Sequence, residues 1–410
     1  MTDPYTLRTL TSPDEFDGVA RLLAAAFGQD MRTDEVDADK WVFEPDRDHV
    51  VEDVGEIVAN AGAYTRQYSV PGAVIAAGHV TVVGVHPTYR RQGLLTRLMR
   101  HQLRDIRDVH REAVAVLWAS EGRIYQRFGY GLASVRRGFE LDRREVRLVA
   151  PPTGAGRLRD ASPEQARKEL QQVYEAVRPQ RPGWSSRDDR WWRWRLHDPQ
   201  GRRDGATEKR ALLYENADGL SGYAIWRIKP GWEDSGPRGE AQVGELVAAT
   251  PEAYVELWRF LLSIDLTRTV RFWYAAADEP LQYLVNEPRA LGGRTGDAHW
   301  VRLTDLPAAL AARRYAAPVD VVLDVSDALL PENAGRWRLA ADSTGATCEP
   351  TTDPADLACD VADLGAAYLG HTSLGTLAAA GRVREVRPGA LAAASTAFGW
   401  YRSPSALDIF

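Results

Sequence analysis

The chain has 410 residues, 44% apolar and 26% charged, with a net charge of -6. That length exceeds one ordinary domain and predicts two or three, each with ample core. The acidic balance argues against a nucleic-acid partner, and no apolar run reaches the length of a membrane span.

Met1-Thr2-Asp3-Pro4 lacks the basic and apolar regions of a secretion signal. With only Cys348 and Cys359, a disulfide scaffold is excluded and no zinc cluster is expected, so a cytoplasmic location is the simplest reading. His79, His86 and His101 have no metal spacing and read as structural. No metal is expected.

Residues 5–10 predict an opening strand. Ser12-Pro13-Asp14-Glu15 is a capping box with Pro at the first helical position. The helix after it sets Phe16, Val19, Leu22, Leu23, Ala26 and Phe27 on one face. Residues 48–68 and 74–85 read as strands of an antiparallel meander, broken at Pro71-Gly72.

The most informative stretch is 79–96. A β-branched run ends in His86-Pro87, then a basic loop, Arg90-Arg91-Gln92-Gly93, opens a helix bearing Leu95, Leu98, Met99, Leu103 and Ile106. Backbone N–H groups and two guanidinium forks converge there, which suits a pyrophosphate. Gly93 lets the backbone approach without a Cβ. Residues 113–118 are apolar throughout, as a central buried strand is.

Strand, Arg-x-x-Gly loop and helix resemble the acetyl-CoA motif of GNAT acetyltransferases, with Leu95 where most members have Gly or Ala. Ser120-Glu121-Gly122-Arg123-Ile124-Tyr125-Gln126-Arg127-Phe128-Gly129-Tyr130-Gly131 resembles the signature of the Eis (enhanced intracellular survival) acetyltransferases. The Arg-Arg-Gln-Gly-Leu-Leu loop agrees with that family and accounts for Leu95. The resemblance implies that Val83, Gly84 and Val85 hold the pantetheine arm. It implies that Arg90, Arg91, Gln92, Gly93, Leu94, Leu95 and Thr96 wrap the pyrophosphate, and that Ser120 and Glu121 line the coenzyme. Tyr125 would open the helix near the sulfur and protonate the departing thiolate.

Ser162-Pro163-Glu164-Gln165 caps a further helix running to Val177. Trp191-Trp192-Arg193-Trp194 reads as a packed helix rather than a base-stacking surface. Residues 241–277 repeat the strand, helix, strand order, but Ala249-Thr250-Pro251-Glu252 replaces the basic loop, and Glu252 opposes a pyrophosphate there. An unrelated α/β domain is the alternative for this segment. Residues 298–410 open on a strand and an Ala-rich helix, with strands at 319–325 and 336–341 and helices at 364–369 and 372–380. In Eis-like proteins this region resembles a sterol-carrier-protein fold. The fold class is therefore α/β (α+β), with two GNAT-like domains in tandem (1–147 and 148–297) before a third domain (298–410).

The chain ends on Ile409-Phe410, which invites burial. A packed tail is one reading. The resemblance implies another, that the Phe410 carboxylate enters the first domain's active site as general base. Phe27, Asp30 and Asp408 are assigned to substrate, although each carboxylate also reads as an ordinary surface acid. The expected activity is direct acetyl transfer from acetyl-CoA, as cosubstrate, to primary amines. The family implies cationic aminoglycosides and polyamines as substrates, acetylation at several amines, and a homo-oligomer, a hexamer. A protein-lysine acetyltransferase and a non-catalytic acetyl-CoA-binding protein are the alternatives.

Overall fold

The Ser12 box forms as its residues require. Ser12 Oγ accepts the Asp14 N–H at 3.2 Å, and Glu15 accepts the Ser12 N–H at 3.2 Å. A short 3-10 turn then leads into the first helix, α1 (Phe16–Phe27), which buries Phe16, Val19, Ala20 and Leu22. The structure is a computed structural model and describes residues 4–152, 154 and 156–410.

Around α1 lie β1 (Thr6–Thr9), α2 (Thr33–Asp39), β2 (Asp48–Asp53), β3 (Glu56–Val70) and β4 (Ala73–Val85). Next come α3 (Leu94–Asp108), β5 (Val114–Trp118), α4 (Gly122–Tyr125) and β6 (Gly131–Leu132). The expected single strand over 48–68 is two, β2 and β3, joined at Val54 and Gly55, both with positive φ.

At Val135 the chain enters a second unit. This contains β7 (Val135–Asp142), β8 (Gly156–Ala161), α5 (Arg167–Val177), α6 (Asp189–Leu196), β9 (Arg210–Asn216) and β10 (Gly219–Lys229). A hairpin of β11 (Trp232–Glu233) and β12 (Gly236–Pro237) precedes β13 (Gly239–Ala248), α7 (Pro251–Leu261), β14 (Thr267–Ala275) and β15 (Arg294–Asp297). The sheet order is β15-β7-β14-β13-β10-β9-β8. The crossing at Val135 is earlier than the boundary expected at 147, because β7 pairs with β14 and buries Phe139 and Leu141 in this unit's core. Trp192 of α6 is fully buried in the same unit.

Residues 298–402 return to the first unit. They form β16 (His299–Leu303), α8 (Leu306–Ala312), β17 (Val319–Ser326), β18 (Gly335–Ala341), β19 (Ala346–Pro350) and β20 (Leu357–Asp360). Last are α9 (Val361–Ala367), α10 (Leu374–Ala379), β21 (Arg384–Glu385) and α11 (Ala390–Phe398). Residues 403–407 belong to the second unit and 408–410 to the first.

The first unit holds a seven-stranded sheet, β1-β2-β3-β4-β5-β16-β6, and a five-stranded one, β19-β18-β17-β20-β21. β16 is buried along its whole length and pairs with β5 on one edge and β6 on the other. One apolar cluster joins Tyr68, Val114 and Val116 to Leu323, Tyr368 and Phe398, so the third segment shares its core with the first. Two glycines permit that contact. A Cβ on Gly131 would strike the Ala362 carbonyl, and one on Gly365 would strike the Val301 carbonyl.

Candidate active site

β4 is irregular where it matters. Asn60 faces Gly84 and Gly62 faces Thr81, so Val82 and Val83 together oppose Ala61 in a bulge. Val82 sits at φ 45°, a costly conformation for a β-branched residue, and its carbonyl accepts from buried Asn60 Nδ2 at 2.8 Å. On the other edge β4 pairs in parallel with β5 at only two positions, Gly78–Ala115 and His79–Val116. Beyond His79 the strands part. Val83, Gly84 and Val85 then line a cleft of about 730 Å³ instead of meeting a neighbouring strand.

Arg90, Arg91, Gly93, Leu94, Leu95 and Thr96 line the same cleft. Gly93 precedes α3 at φ 82°, and no side chain caps that helix end, so its first N–H groups remain for a ligand. Arg90 is anchored by donating to the Ala26 carbonyl at 2.8 Å. Gln92 does not line the cleft. Its side-chain oxygen accepts from the Tyr5 hydroxyl, so it braces the loop.

Ser120, Glu121 and Tyr125 complete the wall, with Phe27 beside them. Tyr125 closes the four-residue α4 rather than opening a helix. Its ring stands edge-on to Tyr130 at 5.8 Å, and burial pushes its phenol up to about 12. The sequence reading missed Ala26, Tyr89, Arg123, Ile124 and Arg127, which also line the cleft. The four-residue spacing of Arg123 and Arg127 was the available signal for that pair. Glu121, the one carboxylate in the lining, is ion-paired to Arg123 at 2.7 Å.

The chain end packs where β4 and β5 part. Phe410 is half-buried and does not line the cleft; its ring packs 4.9 Å from His79 and 5.7 Å from His299. His79 is also the last β4 residue paired to β5. Burial holds both imidazoles below their usual range, His299 down to about 3, and His299 Nδ1 lies 2.9 Å from the Tyr68 hydroxyl. Asp408, also assigned to substrate, does not line this cleft. Its carboxylate is buried against Arg66 at 2.6 Å, while its backbone carbonyl accepts from Trp118 Nε1 at 2.6 Å. Asp30 is exposed and outside the cleft.

Comparison with known proteins gives the family, and the first matched domain spans the cleft residues. Acetyltransferase (GNAT) domain families match residues 6–133 and 183–303, and a sterol carrier protein domain family matches 306–406. An uncharacterized N-acetyltransferase of Streptomyces avermitilis is 46% identical over 92% of both chains. N-acetyltransferase Eis of Mycobacterium tuberculosis is 35% identical over 92% of this chain and 93% of its own. The crystal structure of Eis1 from Mycobacterium abscessus superposes with a TM-score of 0.83 at 34% identity, covering 99% of this chain and 100% of that one. The chain belongs to the Eis family of GNAT N-acetyltransferases.

This Eis-family chain is thus an acetyltransferase, with two GNAT domains and a sterol-carrier-protein-like domain, and its GNAT domains imply acetyl-CoA. The second GNAT domain repeats the parallel strand, helix, strand core as β13, α7 and β14. Its helix end differs from that of the first. Thr250 Oγ1 accepts the Ala253 N–H at 3.2 Å and Glu252 occupies the first turn, so charge and capping both oppose a pyrophosphate. Among the described residues no group of three or more His, Cys, Asp or Glu could hold a metal ion, and no helix is long and apolar enough to cross a membrane.

Proposed function

We propose that this chain transfers acetyl from acetyl-CoA directly to a primary amine of a small molecule, with aminoglycosides and polyamines as the first substrates to test. The observation that carries the reading is one cleft lined by bulged strand backbone, an uncapped helix end and a protonated phenol. Acetyl-CoA supplies the activated thioester. Arg90, Arg91 and the backbone from Gly93 to Thr96 hold the pyrophosphate, and Ser120 and Glu121 flank the coenzyme. The Val83–Val85 backbone holds the pantetheine arm and polarises the thioester carbonyl.

Amine nitrogen attacks that carbonyl; a C–N bond forms as the C–S bond breaks. The Phe410 carboxylate takes the proton from nitrogen, directly or through one water, and Tyr125 gives its proton to the departing sulfur. The ion pair of Asp408 with Arg66 supports a tail held in one conformation. Phe27 offers substrate an apolar wall, and Asp30 and Asp408 are the acids assigned to a cationic one. In this proposal the first GNAT domain, up to Ser134, is catalytic, the middle domain to Asp297 has no coenzyme, and the segment from Ala298 delivers the tail. Acetylation at several amines and a hexameric assembly, both implied by the resemblance, are parts of the same proposal.

Thiol release from acetyl-CoA with an aminoglycoside and with spermine, for wild type and for a chain lacking only Phe410, tests the reading, with mass spectrometry counting the acetyl groups added. Deletion should lower turnover by about a hundredfold or more while acetyl-CoA still binds. Equal turnover in both chains would remove Phe410 from the mechanism. No turnover with either amine would reject these substrates.

A further inference from the structure

The second unit contains a pocket that the acetyl-transfer reading does not use. It opens where β13 and β14 part, since their parallel pairing runs from Gly239–Thr267 to Val243–Phe272 and stops. On its other edge β13 is bulged. Val243 faces Trp226 and Glu245 faces Ile225, leaving Gly244 over. The first unit opens its cleft by the same two devices, a bulge at Val82 and Val83 and a parting of β4 from β5 after His79. Parting points of parallel strands are where open sheets take ligands, and bulges accompany such sites.

The chemistry of this second opening is different. It holds about 300 Å³, at the small end for ligand sites, so nothing the size of a coenzyme fits. Glu245 forms part of the wall but is already neutralised. Arg187 forks onto it at 2.8 and 2.9 Å, Arg195 reaches it at 3.1 Å, and Tyr223 donates to it. The neighbouring Asp198 receives Arg203 at 3.2 Å and Arg227 at 3.1 Å. Lys209 Nζ donates to the Arg195 and His197 carbonyls at 3.0 Å, not to a carboxylate. Of the charged side chains that line the pocket itself, Arg195, Lys209 and Arg227 are basic and Glu245 is the acid. Burial and the adjacent Arg195 pull the Lys209 ammonium down to about 7, a strain that an added anion relieves. Trp273 and Tyr274 supply aromatic walls.

We infer that this pocket binds a small aromatic carboxylate, with its carboxylate met by Arg195, Lys209 and Arg227 and its ring against Trp273 and Tyr274. Planar guanidinium forks match a carboxylate, and the capped start of α7 offers no second anion seat for a larger phosphate ester. The site is independent of acetyl transfer, and its failure leaves the reading of the first unit untouched.

Calorimetric titration of the full chain with benzoate tests it, with benzyl alcohol as the uncharged control. Benzoate should bind saturably and benzyl alcohol should not. Arg227→Gln and Lys209→Gln should each weaken benzoate by about tenfold, as loss of one charged partner does, while Arg91→Gln in the first cleft should change nothing. A crystal grown with benzoate gives a reading that does not depend on how the variants fold, with density expected between Arg195 and Arg227. No saturable binding, weakening by Arg91→Gln alone, or density only outside this pocket would overturn the proposal.

Discussion

Arg66 and Asp408 meet with almost no access to water, their side chains 1% and 4% exposed. Removing one member of such a pair strands a buried charge, whereas replacing both by apolar groups is close to neutral. Arg66→Met should therefore cost about 3–5 kcal/mol in urea unfolding, and adding Asp408→Leu should recover most of that loss. If the single and double variants unfold alike, the pair is not what holds the tail. The same two residues mark a limit of reading the chain alone. That most of the Arg90–Thr96 loop would share one cleft with Ser120, Glu121 and Tyr125 was legible, because short motifs tie these residues to one strand-and-helix arrangement. The partners of Asp408 and Gln92, Arg66 and Tyr5, were not legible because they are remote in sequence. An acid near a chain end and an amide in a basic loop look alike whether or not a distant group has engaged them.

The helices α1 and α3 follow from apolar spacing, and their caps follow from residue type. The irregularities do not. The bulge at Val82 lies within a β-branched run, which reads as plain strand. Val54 is an apolar residue left 97% exposed in a turn, so it hid the break between β2 and β3. Short elements also escape periodicity, and α4 is too short for one face to declare itself. The α3 entry invites a direct test. A Cβ at Gly93 would meet nothing within 4 Å, so the cost of Gly93→Ala comes from its φ of 82° and not from collision. It should lower stability by about 1 kcal/mol, since a left-handed residue with a side chain costs that much, and raise KM for acetyl-CoA more than it lowers kcat. An unchanged KM would mean that the helix entry does not bear on the coenzyme.

Across the whole molecule, the succession of two GNAT domains and a sterol-carrier-like domain was legible from motifs and their order. How the first and third segments interleave was not. β16 looks like the opening strand of a third domain, and only its pairing between β5 and β6 reveals it as the missing strand of the first sheet. Expressed alone, residues 1–134 would expose the unpaired edges of β5 and β6 and the apolar surface that β16 covers. That fragment should give no cooperative thermal transition by circular dichroism, whereas residues 135–297, with a contiguous sheet of their own, should give one. A cooperative melt from 1–134 would show that β16 is dispensable.

The slot between β5 and β6 also sets a timetable for synthesis. A ribosome adding about 5–20 residues each second needs roughly 10–40 s to travel from Trp118 to Leu303. During that interval the earliest strands are complete as sequence yet cannot close their sheet. The stretch made in between, 135–297, has its strands in hand first, so the middle of this protein is positioned to fold before its beginning.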